Sequence, residues 1–417
     1  MSRMRRVVVT GMGVVSSLGN TLDEFSVGLR AGRSGIARID AWRALGLPSQ
    51  VAGRASVAAC EPLDRKIDRF VGDTGRFACI AARAAIADAG LAPARFAAPD
   101  AGAVVGSGVG AVSEYDEAMA LVAQRGPERA GPYVVTRVMS STCSAALAYA
   151  FGVQGVTYSP SAACCTSTLV IGQAMQLVRS GAQRIVLAGG SEELHTGTAT
   201  MFGAMGVLST SYNDDPHHAS RPYDEGRDGF VMASGAGVLV LEERDHALRR
   251  GASIYAELTG FAQASEGRCM SAPGRAGIAR AIREAWRADC EVTDNARVPD
   301  YINTHAPSTL LGDDEELHAL TNVFGHSLPP FSSIKGSIGH ALGAAGALDA
   351  IATLLMMRDG FAAGAVNFST PAPATYGLPL IATTRDARIE HALSVSFGFG
   401  GVAACLAFRA GERQLSA

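Results

Sequence analysis

The chain has 417 residues, of which 48% are hydrophobic and 18% are charged, and its formal net charge is −3 at pH 7. This length and hydrophobic content allow a large buried core, in one domain or in two fused halves, and the charge balance gives no sign of a nucleic-acid-binding protein. The eight cysteines form no Cys-x-x-Cys pair and no zinc-finger spacing, so we expect no metal site and reduced thiols in a cytoplasmic protein.

A long stretch without charged residues lies between Val138 and Val178. Glutamine, glycine, serine and proline residues between Gln154 and Ser161 interrupt it before a membrane span of about 20 residues can form. The basic N-terminus is followed by an apolar run that stops at Thr10, which is too short for a signal peptide. We therefore expect neither a membrane span nor a cleaved leader.

Strands and helices are predicted to alternate along the first 250 residues. The predicted elements are strands at 6–15, 103–106, 155–159, 184–190 and 237–241, and helices at 22–30, 69–89, 113–123 and 168–181. The stretch 11–16 lacks the third glycine of a dinucleotide fingerprint, and no acidic residue follows a second strand, so we do not expect a Rossmann cofactor site. Such alternation is typical of a parallel or mixed sheet with helices on both faces.

The same pattern repeats from residue 254 onward. The predicted elements are strands beginning at 254 and at 301–304, 331–333, 393–397 and 403–408, and helices at 277–288, 313–324 and 341–357. Each half contains a strand, a Gly/Ser turn and an apolar helix of small residues, at 155–180 and at 331–357. We therefore predict an α/β fold with a duplicated βα unit, a pseudo-twofold axis, and halves at 1–250 and 251–417.

Reactive side chains lie at the ends of predicted strands, where open α/β sheets usually bind ligands. Cys164 lies at a strand-to-helix junction, where unpaired N–H groups and the helix dipole favour a thiolate. An inert core cysteine is the commoner alternative for such a residue taken alone. His305 ends a strand, Lys335 and His340 lie between a strand and a helix, and 396–401 forms a glycine-rich turn.

Taken together, these motifs resemble those of the β-ketoacyl-[acyl-carrier-protein] synthases, and most closely the bacterial type I enzymes. The matching motifs, in order, are 131–136, 163–167 (Ala-Cys-Cys-Thr-Ser), 205–210, 227–231, His305, Lys335 with His340, and 397–401 (Phe-Gly-Phe-Gly-Gly). The resemblance covers essentially the whole chain. It implies a thiolase-like duplicated α-β-α-β-α layered fold with mixed five-stranded sheets.

The resemblance also implies a reaction. Cys164 would accept an acyl group from a carrier-protein thioester, and His305 and His340 would stabilise the enolate formed when a malonyl thioester loses carbon dioxide. The backbone N–H groups of Cys164 and Phe399 would form an oxyanion hole, with Lys335 as a supporting charge. The implied function is decarboxylative Claisen condensation with malonyl-[acyl-carrier-protein] to give 3-oxoacyl-[acyl-carrier-protein] in fatty-acid chain elongation.

The resemblance further implies contacts to substrate and partners. The substrate-contacting residues would be Val109, Phe230, Ser308, Thr309, Phe397 and Gly400, and the basic residues that dock the carrier protein would be Arg65, Lys66, Arg69, Arg125 and Arg129. The alternatives are core packing for Val109 and an ordinary solvated cluster for the basic residues. Substrates would arrive on the phosphopantetheine arm of acyl carrier protein without a separate cofactor. The expected assembly is a homodimer, or a heterodimer with a paralogous subunit.

Several positions depart from the family pattern. Pro307 removes a hydroxyl expected to bond the pantetheine arm, Asp349 replaces a glutamate, and Val395 and Val402 replace polar residues. A condensing enzyme of a specialised polyketide or polyene pathway is therefore the alternative function. A silent chain-length-factor-like partner would lack the nucleophilic cysteine. A thiolase would need a second catalytic cysteine in a glycine-rich C-terminal motif, whereas Cys405 lies inside a predicted strand.

Two further features have structural interpretations. The four consecutive acids at 313–316 are interpreted as a helix N-terminus favoured by the helix dipole, with a metal-binding cluster as the alternative. Cys165, beside the nucleophile, occupies a position that the family usually fills with a small residue, and we interpret it as a packing residue.

Overall fold

The computed structural model describes residues 4–293 and 297–411. The strands are β1 (Val7–Val15), β2 (Ala37–Arg38), β3 (Val51–Ala52), β4 (Ala101–Gly106), β5 (Thr157–Tyr158), β6 (Ile185–Glu192), β7 (Gly235–Glu243), β8 (Ala256–Ser265), β9 (Tyr301–Asn303), β10 (Phe331–Ser332), β11 (Phe361–Ala362), β12 (Arg385–Asp386), β13 (His391–Gly398) and β14 (Val402–Ala410). The helices are α1 (Leu22–Arg30), α2 (Asp40–Ala44), α3 (Arg65–Asp68), α4 (Asp73–Asp88), α5 (Val112–Arg125), α6 (Val134–Val138), α7 (Thr142–Phe151), α8 (Thr166–Arg179), α9 (Thr196–Ala204), α10 (Arg244–Arg249), α11 (Arg275–Thr293), α12 (Leu310–Phe324), α13 (Lys335–Ile338) and α14 (Ala345–Asp359).

The two halves contain the same five-stranded sheet. The strand order is β5-β4-β6-β7-β1 in the first half and β10-β9-β13-β14-β8 in the second. In both sheets the first two pairings are parallel and the last two are antiparallel. The edge strands β1 and β8 pair at Val8 with Glu257 and at Val9 with Ala256, which joins the sheets into one ten-stranded unit. This repeat confirms the predicted duplication.

Helices fill three layers around the two sheets. α8 and α14 lie in the central layer and pack against strands of both sheets, where they contribute about a third of the buried residues of the largest apolar cluster. α4 and α7 cover the outer face of the first sheet, and α11 and α12 that of the second. Every residue of α14 from Ala345 to Met357 is buried, as expected for a helix that is apolar on all sides. The predicted α-β-α-β-α layers are confirmed.

Close approach of the central helices requires a glycine at the start of α14. A Cβ atom at Gly346 would lie 2.0 Å from Oγ1 of Thr168 in α8. Any side chain at this position would push the two helix N-termini apart. The contact matters for function because the segments leading into these helices carry Cys164 and His340.

Some predicted element boundaries were wrong. The helix predicted at 69–89 begins only at Asp73, because a separate short helix, α3, ends at Asp68 and the extended backbone of Gly72 precedes α4. The strand at 155–159 shrinks to β5, and α7 and α9 were missed because their composition gives almost no amphipathic pattern. The division at residue 250 falls between α10 and β8 and stays a prediction. In the described ranges, none of the helices combines the length and apolar character needed to cross a membrane.

Candidate active site

Cys164 lies in a strained turn that connects β5 to α8. Ala163 has a φ of 50°, a left-handed conformation that costs an L-residue on the order of 1–2 kcal/mol. The hydroxyl of Thr166 stabilises the turn, since it accepts from the Ala162 N–H at 2.8 Å and donates to the Ala163 carbonyl at 2.7 Å. Strain held in place by surrounding contacts is common at functional sites. The turn places Cys164 two residues before the first residue of α8.

The surrounding protein keeps the Cys164 thiol protonated. Burial raises its pKa to about 12, and the carboxylate of Glu192 acts in the same direction. The charge of Lys335 and a hydrogen bond from the Cys164 backbone act in the opposite direction. The expectation of a thiolate favoured by the helix dipole was therefore wrong for the free enzyme, because desolvation outweighs the favourable groups. Proton loss must accompany acyl transfer.

An apolar surface flanks Cys164. We call it the acyl cluster, and it is formed by Trp42, Ala52, Leu208, Phe230, Met232, Leu342, Ala199 and partly buried neighbours such as Phe202 and Leu194, with Cys164 packed against them. The aromatic rings of Phe202 and Phe230 meet edge to face at 5.3 Å between centroids. The cluster offers the nucleophile a water-poor environment suited to a hydrocarbon chain.

The two histidines face each other from separate segments of the second half. Their ring centroids are 5.0 Å apart and the rings are nearly perpendicular, at 87°. Burial holds the pKa of both His305 and His340 well below the usual range, and the charge of Lys335 is the next cause. Both imidazoles are therefore neutral at pH 7, and each can offer one N–H donor. Within the described ranges, neither Nδ1 atom has a hydrogen-bond partner.

Lys335 forms a fully buried ion pair with Asp349 of α14. Its Nζ donates to Oδ2 of Asp349 at 2.8 Å, and both side chains are at most 1% exposed. The aspartate therefore reaches the lysine although it is one methylene shorter than the glutamate usual in the family. The pair places a positive charge where it lowers the pKa of both histidines and of Cys164.

The glycine-rich turn between β13 and β14 closes over the nucleophile. A Cβ atom at Gly398 would lie 2.9 Å from the backbone nitrogen of Cys164, so only glycine leaves that N–H accessible. Gly400 has a φ of 85°, which the tight turn requires. Phe397 packs on His305 with a 4.3 Å centroid distance, and Phe399 lies 6.2 Å from Phe202. The predicted oxyanion donors therefore lie on adjoining segments.

Two buried carboxylates hold the His305 loop. Glu316 accepts from the backbone N–H groups of His305 and Ala306, each at 2.8 Å. Asp313 accepts from the N–H groups of Ser308 and Thr309, each at 3.1 Å. The acids at 313–316 thus do more than complement a helix dipole, since two of them fix the loop that carries His305. The described residues contain no group of three or more His, Cys, Asp or Glu side chains that could hold a metal ion.

The remaining predicted substrate residues differ in their surroundings. Phe230 packs edge to face on His340 at 5.4 Å, while Val109 is 40% exposed on the loop after β4. The hydroxyl of Ser308 is buried and accepts from the Arg221 N–H, and that of Thr309 caps α12. Both hydroxyls therefore already have structural hydrogen bonds, and their proposed contact to substrate stays a prediction.

The basic residues predicted to dock a partner are all exposed; they are Arg65, Lys66, Arg69, Arg125 and Arg129. Arg65 begins α3, and Arg69 follows its end with its guanidinium over the rings of Phe70 and Tyr133, at 4.8 and 5.5 Å from their centroids. Arg125 ends α5, and Arg129 lies in the short turn after it. Arg65 and Arg69 thus lie one turn apart, as predicted from their spacing.

A family model described as the beta-ketoacyl synthase N-terminal domain matches residues 4–247. The chain belongs to the β-ketoacyl synthase family. The C-terminal domain model of that family matches residues 255–369. The 3-oxoacyl-[acyl-carrier-protein] synthase 1 of Haemophilus influenzae is 44% identical over 410 residues, which cover 97% of this chain and 99% of the relative. These matches confirm the predicted family and a condensing acyltransferase activity that makes 3-oxoacyl thioesters.

Solved structures of ketosynthases have the same fold. A beta-ketoacyl synthase from Burkholderia phymatum STM815 has a TM-score of 0.91 and 34% identity, and the match covers 98% of this chain and 100% of the other. A type II polyketide synthase acyl-carrier protein in complex with its ketosynthase matches with a TM-score of 0.90 and 29% identity, at 98% and 100% coverage. The thiolase-like fold class is thereby confirmed.

Sequence reasoning missed several residues of this β-ketoacyl synthase site. Glu192 is buried beside the Cys164 turn, and burial raises its pKa to about 7 against four hydrogen bonds that lower it. Leu342 adopts a φ of 44° next to His340 and packs in the acyl cluster. A Ser-Glu-Glu sequence at the end of a buried strand was an available signal for Glu192. Nothing local marked Leu342.

Proposed function

We propose that the enzyme condenses an acyl group held on Cys164 with malonyl-[acyl-carrier-protein], in fatty-acid chain elongation. Cys164 packs in the acyl cluster with Phe230, and the Phe230 ring lies edge to face on His340 at 5.4 Å. His340 in turn faces His305, and this series of contacts between the two halves carries the proposal. The cysteine can hold the acyl chain, and the two imidazoles can donate hydrogen bonds to a second thioester.

The two half-reactions balance without another reactant. In the first, the Cys164 sulfur displaces the carrier thiol from an acyl thioester, and the cysteine proton ends on the departing pantetheine sulfur. In the second, the malonyl thioester loses carbon dioxide, and the resulting enolate attacks the acyl-Cys164 carbonyl. The N–H groups of Cys164 and Phe399 bind the oxyanion. The Cys164 thiolate then leaves and takes up a proton from water, which restores the high-pKa thiol.

The test is a mass measurement of the whole enzyme after incubation with acyl-[acyl-carrier-protein]. We expect a mass increase equal to one acyl group that disappears in Cys164→Ala and persists in Cys165→Ala. Addition of malonyl-[acyl-carrier-protein] should then release 3-oxoacyl product. Acylation that persists in Cys164→Ala would refute the assignment, and a marked preference for coenzyme A esters over carrier-bound esters would favour thiolase-type chemistry.

Carrier-protein docking by the basic residues Arg65, Lys66, Arg69, Arg125 and Arg129 is part of the proposal. The exposure of all five residues supports their contact with an acidic partner. Charge reversal in Arg65→Glu/Arg69→Glu should weaken binding of the carrier protein, and binding to the wild type should fall as salt rises. The matched control is Arg287→Glu on the outer helix α11, which should leave affinity unchanged. If both variants bind the carrier protein with equal affinity, the basic residues form an ordinary solvated surface.

We further propose a homodimer that functions in the cytoplasm. Strand β5 is an exposed sheet edge, which is a ready template for another strand. Exposed apolar side chains also lie on β5, on α5, and on and just after α9, which contacts α5; they are Tyr158, Tyr115, Met119, Met201 and Met205. Light scattering on the purified chain should give twice the chain mass, and a monomer would contradict the proposal. All eight cysteines are free, which supports a reducing compartment.

A specialised polyketide or polyene pathway is the second candidate. It is favoured by Pro307, which is buried in the His305 loop near Phe397 and offers no hydroxyl to a pantetheine arm. A ladder of saturated, unsaturated and polyketide-like primers, each on carrier protein, decides between the two. Preference for saturated primers supports fatty-acid elongation, and preference for conjugated or polyketide primers supports the second candidate.

A further inference from the structure

Glu192, the last residue of β6, is a buried carboxylate that the proposed reaction does not use. It is only 1% exposed. Its Oε1 accepts from the hydroxyl of Ser107 at 2.7 Å and from the N–H of Val109 at 3.2 Å. Its Oε2 accepts from the N–H of Gly108 at 2.7 Å and from that of Gly343 at 2.9 Å. Both oxygens therefore bind two donors each.

The donor from Gly343 belongs to the start of the central helix of the second half. Gly343 lies in the single 3-10 turn that leads into α14, three residues after His340. N–H groups at a helix start have no partner within the helix and carry partial positive charge, which a carboxylate stabilises. The same turn contains Leu342, which is 2% exposed in the acyl cluster with a φ of 44°. Glu192 thus helps to hold Leu342 in a conformation that is costly for a residue with a side chain.

The other three donors belong to the loop that carries Val109. A Cβ atom at Gly108 would lie 3.0 Å from Glu192 Oε2, 3.1 Å from the Gly343 nitrogen and 3.2 Å from the Ala163 carbonyl oxygen. The Val109 loop, the residue before Cys164 and the turn after His340 therefore meet around one carboxylate. Movement of the Val109 loop or of the turn after His340 would break a hydrogen bond to this buried carboxyl group.

We propose that Glu192 is a positioning residue that holds the Val109 loop and Leu342 against each other beside Cys164, and thereby determines which acyl chains the nucleophile accepts. The inference rests on the proposed function, in that Cys164 is the acyl acceptor. Glu192 acts through Val109 and Leu342 and does not itself touch the reacting thioester. Substrate selection then depends on the carboxylate that fixes the pocket lining as well as on the lining side chains.

The test compares Glu192→Gln with Glu193→Gln across a ladder of acyl-[acyl-carrier-protein] primers. The amide in Glu192→Gln has nearly the same shape, but its NH₂ group replaces one acceptor oxygen and faces at least one backbone N–H donor, which should loosen the contact between the segments. We expect the ratio of kcat/KM between the best and the worst primer to fall about tenfold, mainly through KM. Glu193 is the matched control, because it is also buried but, among the described residues, accepts hydrogen bonds from Ser113 alone, through its N–H and hydroxyl at 2.7 Å each. Its variant should keep the wild-type profile.

The outcomes separate the two proposals. If the wild type is not acylated on Cys164, the proposed function fails. If it is acylated and folded Glu192→Gln keeps the wild-type chain-length profile, Glu192 has only a structural role and the inference fails. If Glu192→Gln does not fold, Ser107→Ala removes one of the four donors and should shift the profile in the same direction to a smaller extent. An unshifted profile in that variant would also overturn the inference.

Discussion

The turns that lead into α8 and α14 occupy equivalent places in the two halves, yet they carry opposite kinds of chemistry. Each follows the edge strand of its sheet, β5 or β10, and enters a central helix. The first turn carries Cys164 and contains no charged residue, whereas the second carries Lys335 and His340 and pairs with Asp349 of its own helix. The two connections thus share a place in the repeated fold, but only the second contains a buried charge pair.

Burial has the same effect on the nucleophile and on the two histidines, because it keeps all three side chains uncharged. It raises the pKa of Cys164 and lowers that of His305 and His340. The charge of Lys335 has opposite consequences for the two kinds of group, since it favours the charged thiolate of Cys164 and disfavours the charged imidazolium of the histidines. The cysteine side is thereby suited to hold an acyl group, and the histidine side to donate hydrogen bonds.

The largest effect is expected from removal of the histidines. In His305→Ala or His340→Ala, carbon dioxide release from malonyl-[acyl-carrier-protein] should fall on the order of 10²–10³-fold, as when an oxyanion donor is removed. Acylation of Cys164 should change far less, because the cysteine side stays intact. Release of labelled carbon dioxide and whole-protein mass spectrometry measure the two steps separately. Variants that lose acylation but still decarboxylate would reverse the assignment of the two sides.

Disruption of the buried ion pair should act on stability as well as on chemistry. Asp349→Asn leaves Lys335 charged and uncompensated, and we expect the free energy of unfolding in urea to fall by about 3–5 kcal/mol. Glu291→Gln is the control, because its pair with Arg287 is exposed and should contribute far less. The double variant Lys335→Met/Asp349→Leu should recover stability but not condensation. A single variant as stable as the control would show that the pair is dispensable for folding.

The pH dependence of alkylation tests the uncharged cysteine. Because its pKa is raised to about 12, only the rare thiolate of Cys164 reacts at pH 7, and the rate should rise about tenfold per pH unit between pH 7 and 10. Cys269 is exposed and backbone hydrogen bonds lower its pKa, so it should react first and serves as an internal reference. Iodoacetamide labelling followed by peptide mass analysis gives both rates. A Cys164 rate that levels off near pH 8 would indicate that the helix dipole outweighs burial.

The sequence predicted the repeated elements well because each depends on local composition. The small apolar residues of α8 and α14 predict central helices, and the motifs around Cys164, His305 and His340 predict the meeting of the reactive groups. The protonation state of Cys164 could not be predicted, since it depends on how much protein surrounds the thiol. Glu192 was missed for a related reason, because its partner Gly343 lies 151 residues away in the chain.

The smallest effect is expected at Val109, on the cysteine side of the site. The resemblance to the family implies that this position lines the acyl pocket at a dimer interface, where type I enzymes usually carry glycine and type II enzymes isoleucine. Val109 is 40% exposed in the single chain, which agrees with a side chain covered by a second copy and disagrees with simple core packing beside β4.

The isopropyl group of Val109 would occupy volume that a long acyl chain needs, and overpacking typically costs about 1–3 kcal/mol. Val109→Gly should therefore raise kcat/KM for long primers relative to short ones about tenfold. Because Glu192 binds the backbone N–H of Val109 and not its side chain, the substitution leaves that hydrogen bond in place. An unchanged profile would show that the Val109 side chain does not reach the acyl chain.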